Sequence, residues 1–259
     1  MSHISPYEKG WEIYISKYES ILRTYPSVGR RIVDFMFSSS HSYDVNEGGM
    51  CSTIICGEKL PLQIHETYAA YLWEKIKAFE IRSFVETYSD QPIDWVIELG
   101  SGPSHNLFNL WNSFGPNDAQ FIGAEYTDSG IRLSDMLHKH YKGMNFISTK
   151  FDYYNMQLEQ IVPKGTGLIF SSYSIEQIKD LNDDFFDQIA RIPGLISSLH
   201  IEPIGWQFYE LDFIDTNCYD HEDYELHRHE SVRSNYNQNF ALLFKDALNR
   251  NIIETDFKS

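Results

Sequence analysis

Between Trp95 and Ser104 the chain reads WVIELGSGPS, an apolar run that breaks into two glycines one residue apart. A run this short and this apolar is the pattern of a strand covered on both faces of a parallel sheet. The two glycines allow a tight turn and leave no side chain between the backbone and whatever lies against it. Asn106 to Phe114 then has helical spacing, which places the turn at a helix N-terminus. Free N–H groups there favour a carboxylate or a phosphate.

The pattern continues as alternating strand and helix. Strands are expected at Trp95–Leu99, Phe121–Glu125, Asn145–Ser148, Gly167–Ser171 and Leu195–Ile201, with helices at Asp128–Tyr141, Phe185–Ile192 and Asn237–Arg250. This order predicts an α/β fold with a doubly wound, mostly parallel sheet, whose ligands sit at the carboxyl ends of the strands. One further strand pattern, Ile252–Phe257, closes the chain.

Residues 1–90 read as a helical cap or lid. Trp11, Ile15, Tyr18, Leu22 and Tyr25 share one helix face, and Gly29–Phe37 makes a second short helix. A polar connection over 41–59 holds a strand-like piece at Thr53–Cys56. Pro61 is expected to open a long helix with Tyr68, Leu72, Ile76 and Phe79 on one face. The second unit is 91–259, with an aromatic and acidic insertion over 206–234 read as a solvated loop. Its His221, His227 and His229 lack metal-ligand spacing, so no metal is expected.

The acid-x-Gly-x-Gly turn resembles motif I of class I S-adenosylmethionine (SAM) dependent methyltransferases of the small-molecule type. Ser104 stands where that pattern often has a third glycine. The competing dinucleotide fingerprint, Gly-x-Gly-x-x-Gly, fails at His105. The resemblance runs over about residues 93–257 and is carried by the order of several motifs. It implies a Rossmann-like methyltransferase fold in which Glu98, Gly100, Ser101 and Gly102 contact the cofactor. It implies that Glu125, with Tyr126 beside it, accepts the ribose hydroxyls. Asp152 is expected to accept from the adenine amino group while Tyr153 covers the ring. Ser172 opens the segment SYSIEQI beside the methionine part.

The fifth strand ends in His200 and Glu202, which alternation points to the same side, and Trp206 follows as a candidate apolar wall. A polar pair at the carboxyl end of an otherwise apolar strand suits an acceptor site. His200 or Glu202 is the expected general base, with His105 and Glu176 as weaker candidates. A capping role for Ser172, Ser174 and Glu176 is compatible with ligand contact.

The formal net charge is −16, and no basic stripe is available to displace counterions, which argues against nucleic acid. The expected partner is a polar small molecule methylated on oxygen or nitrogen, with a homodimer left open. No apolar run has the length to span a bilayer and the first residues lack a signal-peptide pattern. Three cysteines do not make a disulfide framework, so a cytoplasmic protein is expected. Two alternatives stand beside the methyltransferase: a catalytically inactive binding subunit of the same fold, and an NAD-dependent oxidoreductase.

Overall fold

A computed structural model describes residues 6–37, 51–55, 58–62, 66–113, 116, 118–211 and 221–255. The elements run α1 (Pro6–Thr24), α2 (Ile32–Phe37), β1 (Cys51–Ile55), β2 (Glu58–Leu62), α3 (Glu66–Thr87), β3 (Trp95–Leu99), α4 (His105–Ser113), β4 (Gln120–Glu125), α5 (Asp128–His138) and β5 (Phe146–Lys150). They continue β6 (Gly167–Ser172), a 3-10 turn at Ile175–Gln177, α6 (Phe185–Ala190), β7 (Leu195–Ile201), α7 (Gly205–Glu210), α8 (His221–Arg233) and α9 (Phe240–Asn249).

β3 to β7 form one all-parallel sheet in the order β5-β4-β3-β6-β7. Chain order reverses at β3: β4 and β5 are added on one side of it, and β6 and β7 on the other. Its carboxyl end is the switch point where such sheets hold ligands. All five residues of β3 are buried, and the strand alternation feeds two cores. Val96, Phe121, Leu168 and Phe170 pack with Ile15, Tyr18, Val33, Met36, Ile81, Leu107, Phe108 and Leu133 from α1 to α5. Trp95, Ile97, Leu99, Ile122 and Ile169 pack on the other face with Phe185, Phe186 and Ile189 of α6 and Phe240 and Ala247 of α9. Each fully buried large side chain contributes about 1.5–3 kcal/mol, so both layers are held strongly to the sheet.

Several elements differ from the sequence reading. Pro61 does not open a helix; it lies in β2, paired with Ser52 of β1 in a two-stranded antiparallel hairpin. A two-stranded ribbon has only edge strands, where a residue without an N–H is tolerated. α3 begins at Glu66; among its described side chains Lys77, Ile81 and Val85 are buried and Phe79 is exposed, while the side chains of Tyr68, Leu72 and Ile76 lie outside the described residues. The insertion is not all loop: α7 and α8 fall within it, and 212–220 lie outside the described residues. Ile252 to Thr255 form no strand; Ile252 and Ile253 pack their side chains against the second core instead. Most of the polar connection, 38–50 and 56–57, lies outside the described residues.

Candidate functional site

The glycine turn closes over the end of β3. Gly100 and Gly102 have φ of 65° and 51°, and Ser104 has φ of 58°. Ser104 thus holds, with a side chain, the left-handed backbone that glycine adopts freely. Its Oγ lies 3.1 Å from Ser101 Oγ and 3.0 Å from Ser134 Oγ, a buried hydroxyl cluster. Gly123 on β4 leaves room for it, since a Cβ there would collide with Ser104 Oγ.

The turn's own amides are committed within the protein. Gly100 N and Ser101 N donate to Ala124 O, and Ser104 N donates to Ser101 O. Gly102 N donates to Glu125 Oε2 at 2.8 Å. The end of β4 therefore takes the amides of Gly100, Ser101 and Gly102. Glu125 itself is buried, and its Oε1 also accepts from Thr127 N and Thr127 Oγ1. Glu98, on the opposite side of the turn, accepts from Asn106 Nδ2 at 2.6 Å.

α1 lies over this region. A Cβ at Gly102 would come within 2.7 Å of the Trp11 ring. Glu8 caps α5: its carboxylate accepts from Asp128 N and Ser129 N, where the helix dipole favours negative charge. Trp11, Tyr14, Phe37 and His105 form a ladder of rings, the last two stacked at 4.7 Å. The Tyr7 phenol, at the start of α1, is pushed up to about 12 by burial, by Tyr236 and by Glu176.

Beyond β5, Asp152 Oδ1 accepts from Tyr154 N in a side-chain turn. Tyr153 is buried; Ser174 donates to Leu99 O at 2.9 Å, so Tyr153 donates to Ser174 Oγ at 2.8 Å. This joins the ends of β5, β3 and β6, and Ser174 Cβ fills the space a Cβ on Gly100 would need. Tyr126 and Tyr154 are the exposed rings here, with Lys150 Nζ 5.4 Å from the centre of Tyr126. Ser172 Oγ is enclosed and makes no hydrogen bond.

His200 and Glu202 converge on one hydroxyl, as alternation requires. Ser171 donates to Glu202 Oε1 at 2.7 Å and sits 2.9 Å from His200 Nδ1. With its single proton given to the carboxylate, Ser171 accepts from His200 Nδ1–H. That tautomer leaves Nε2 as a bare acceptor, enclosed and unbonded beside Phe185, Phe186 and Phe240. Burial pushes the imidazole down to about 4, so it is neutral at physiological pH. Ser171 is fully buried.

Glu202 Oε2 accepts from Ser174 N at 3.0 Å and Glu176 N at 3.2 Å. Burial raises its carboxyl to about 7 against the pull of these bonds. Glu176 is raised to about 7 as well, by burial and then by Glu202, and accepts from Gln177 Nε2 at 2.7 Å. Lys77, buried on α3, stands 5.1 Å from the centre of the Tyr173 ring, and Tyr173 has φ of 56°. Trp206 is buried in α7, its Nε1 unbonded, and Gln207 beside it ties α7 to Asn237 and Ala241. Sequence reasoning missed Ser171, Lys77, Glu8 and the seat of Trp11. Only the small residue at Gly102 hinted that something packs there.

No known family model and no curated protein matches the chain. Solved structures with a similar fold include geranyl diphosphate methyltransferase in complex with GPP and sinefungin, at 12% identity, 75% of this chain, 67% of that chain and TM-score 0.39. A putative caffeoyl-CoA O-methyltransferase from Staphylococcus aureus has 11% identity, 62% of this chain, 70% of that chain and TM-score 0.40. The N-terminal domain of EvdMO1 with SAH bound has 13% identity, 56% of this chain and TM-score 0.36. Across three EvdMO1 structures the matched region spans 44%, 21% and 55% of the solved chain. These values leave function to the chain's own side chains. Among the described residues no cluster of His, Cys, Asp and Glu is placed to hold a metal ion, and no helix is long and apolar enough to cross a membrane.

Proposed function

We propose that the chain is a cytoplasmic SAM-dependent methyltransferase acting on oxygen or nitrogen of a polar small molecule. The observation that carries this is Glu125: a buried carboxylate at the end of β4, tied to the glycine turn at the sheet's switch point. Three of its roughly four acceptor positions are used, so an acceptor position remains for a ribose hydroxyl. Asp152, with the exposed ring of Tyr154 two residues on, gives a polar and aromatic edge suited to adenine. The SAH and sinefungin named for the neighbours agree with this reading without carrying it.

When bound, SAM supplies an electrophilic methyl group for in-line displacement. The protein's part is to align the acceptor and exclude water. Ser172 Oγ, the one enclosed hydroxyl on this strand end without a bond, is placed to orient a polar group. For a hydroxyl acceptor a base must take the proton. His200 Nε2 is walled by phenylalanines, and Glu202 is committed to three donors. Glu176, raised to about 7 by burial and Glu202, suits proton transfer near neutrality. Incubating the protein with methyl-labelled SAM and a pool of polar metabolites should label a small molecule, and Glu176→Gln should slow that labelling by about 10²-fold. Labelling that never exceeds a protein-free control, with SAM bound, would instead favour the inactive binding subunit. The enclosure of His200 Nε2 is the observation on that side.

A further inference from the structure

Glu202 stands one residue past β7, and its bonds run to β6 and to the segment that follows it. Oε2 accepts from Ser174 N and Glu176 N, and Oε1 accepts from Ser171 Oγ. The segment it holds follows Tyr173, whose left-handed backbone a bulky residue adopts only under constraint. At the start of that segment Ser174 donates to Leu99 O and receives the Tyr153 hydroxyl, against Gly100. One carboxylate thus fixes a three-residue piece that joins the acceptor end of the sheet to the glycine turn.

Glu176 is the second carboxylate, Tyr153 lies across Ser174, and His200 shares Ser171. Tyr7 of α1 stands beyond Glu176, and Lys77 lies over the Tyr173 ring. Adding a proton to Glu202 removes charge from the acceptor of two backbone N–H groups, and charge-assisted bonds of this kind are the stronger ones.

We propose that Glu202 is a positioning residue: ionised, it clamps Ser174–Glu176 against the glycine turn, and its protonation loosens that clamp, so that cofactor affinity falls as pH falls. The affinity half of this rests on the SAM-binding reading; the clamp itself does not. Both Glu202 and Glu176 are raised to about 7, which places the transition in the neutral range.

Backbone amide exchange by NMR, on the full chain from pH 8.5 to 5.5, reads the clamp without any ligand. Protection factors at Ser174 and Glu176 should fall by roughly 10-fold across neutrality in the unmodified protein. Glu202→Gln should show the lowered protection at every pH. Glu176→Gln should keep the transition but move it to lower pH, because a repelling neighbour is gone. Calorimetric SAM affinity on the same samples should follow protection, weakening with acid in the unmodified protein and losing that dependence in Glu202→Gln. Protection in Glu202→Gln within twofold of the unmodified protein, or a flat pH profile in the latter, overturns the clamp. If no sample binds SAM, the functional reading falls and the exchange data alone decide the clamp. If Glu202→Gln does not fold, the unmodified protein's own pH profile decides it.

Discussion

Glu125 ends β4 and Glu202 follows β7, on opposite sides of β3, and each accepts from three donors. Their surroundings differ. Around Glu125 the neighbours are backbone amides, one threonine and a cluster of serine hydroxyls. Around Glu202 stand a second carboxylate, a buried phenol and an imidazole with an unbonded nitrogen. One end is a settled polar frame. The other keeps groups away from their ordinary protonation, a condition that lowers stability and concentrates at functional sites. A preformed frame for one reactant beside a proton-sensitive wall for the other is the division that transfer chemistry needs.

Removing the frame should have the largest effect. Glu125→Ala leaves Gly102 N and Thr127 without their acceptor in a buried place, and should cost about 3 kcal/mol in urea unfolding. Glu176→Gln should do the opposite and stabilise by about 2 kcal/mol at pH 8. Its folded pKa lies above the unfolded value, so the ionised form carries a cost that is absent below pH 4.5, grows towards pH 7 and is complete above. The variant's gain should vanish at pH 4. If both acids destabilise when replaced, the contrast between the two ends is broken.

His200 works on the other limb. Burial holds its folded value near 4, below the usual 6.5, so it supports the fold above pH 6.5 and that support is lost as pH falls towards 4. His200→Gln should flatten this acid limb by about 2 kcal/mol while leaving the alkaline limb in place. Ser104→Gly should matter least. It relieves a left-handed serine but loses two hydroxyl contacts, for a net change within about 1 kcal/mol of zero.

The sheet was legible because its strands are apolar and short: β3 and β7 begin and end where the residues predict. The positions of Glu125, Asp152, His200 and Glu202 at strand ends follow from the same pattern. What local pattern could not carry is long-range pairing. Trp11 reaches Gly102 and Glu8 reaches Ser129 only once α1 has docked. Pro61 has a helix-opening signature whose outcome depends on a partner strand. Ser171 looks like an ordinary strand residue until His200 and Glu202 meet on it. Alternation put the last two on one side, but not what they hold there.

The ligand proposed for the edge framed by Glu125 and the glycine turn is an adenosyl sulfonium. Isothermal titration of the full chain at pH 8 tests it most directly. Saturable one-to-one binding of SAM, competed by S-adenosylhomocysteine, untouched by NAD and weakened roughly 10-fold or more in Glu125→Ala, is the expected result. Saturable heat from NAD with none from SAM, or SAM binding indifferent to Glu125→Ala, would contradict it.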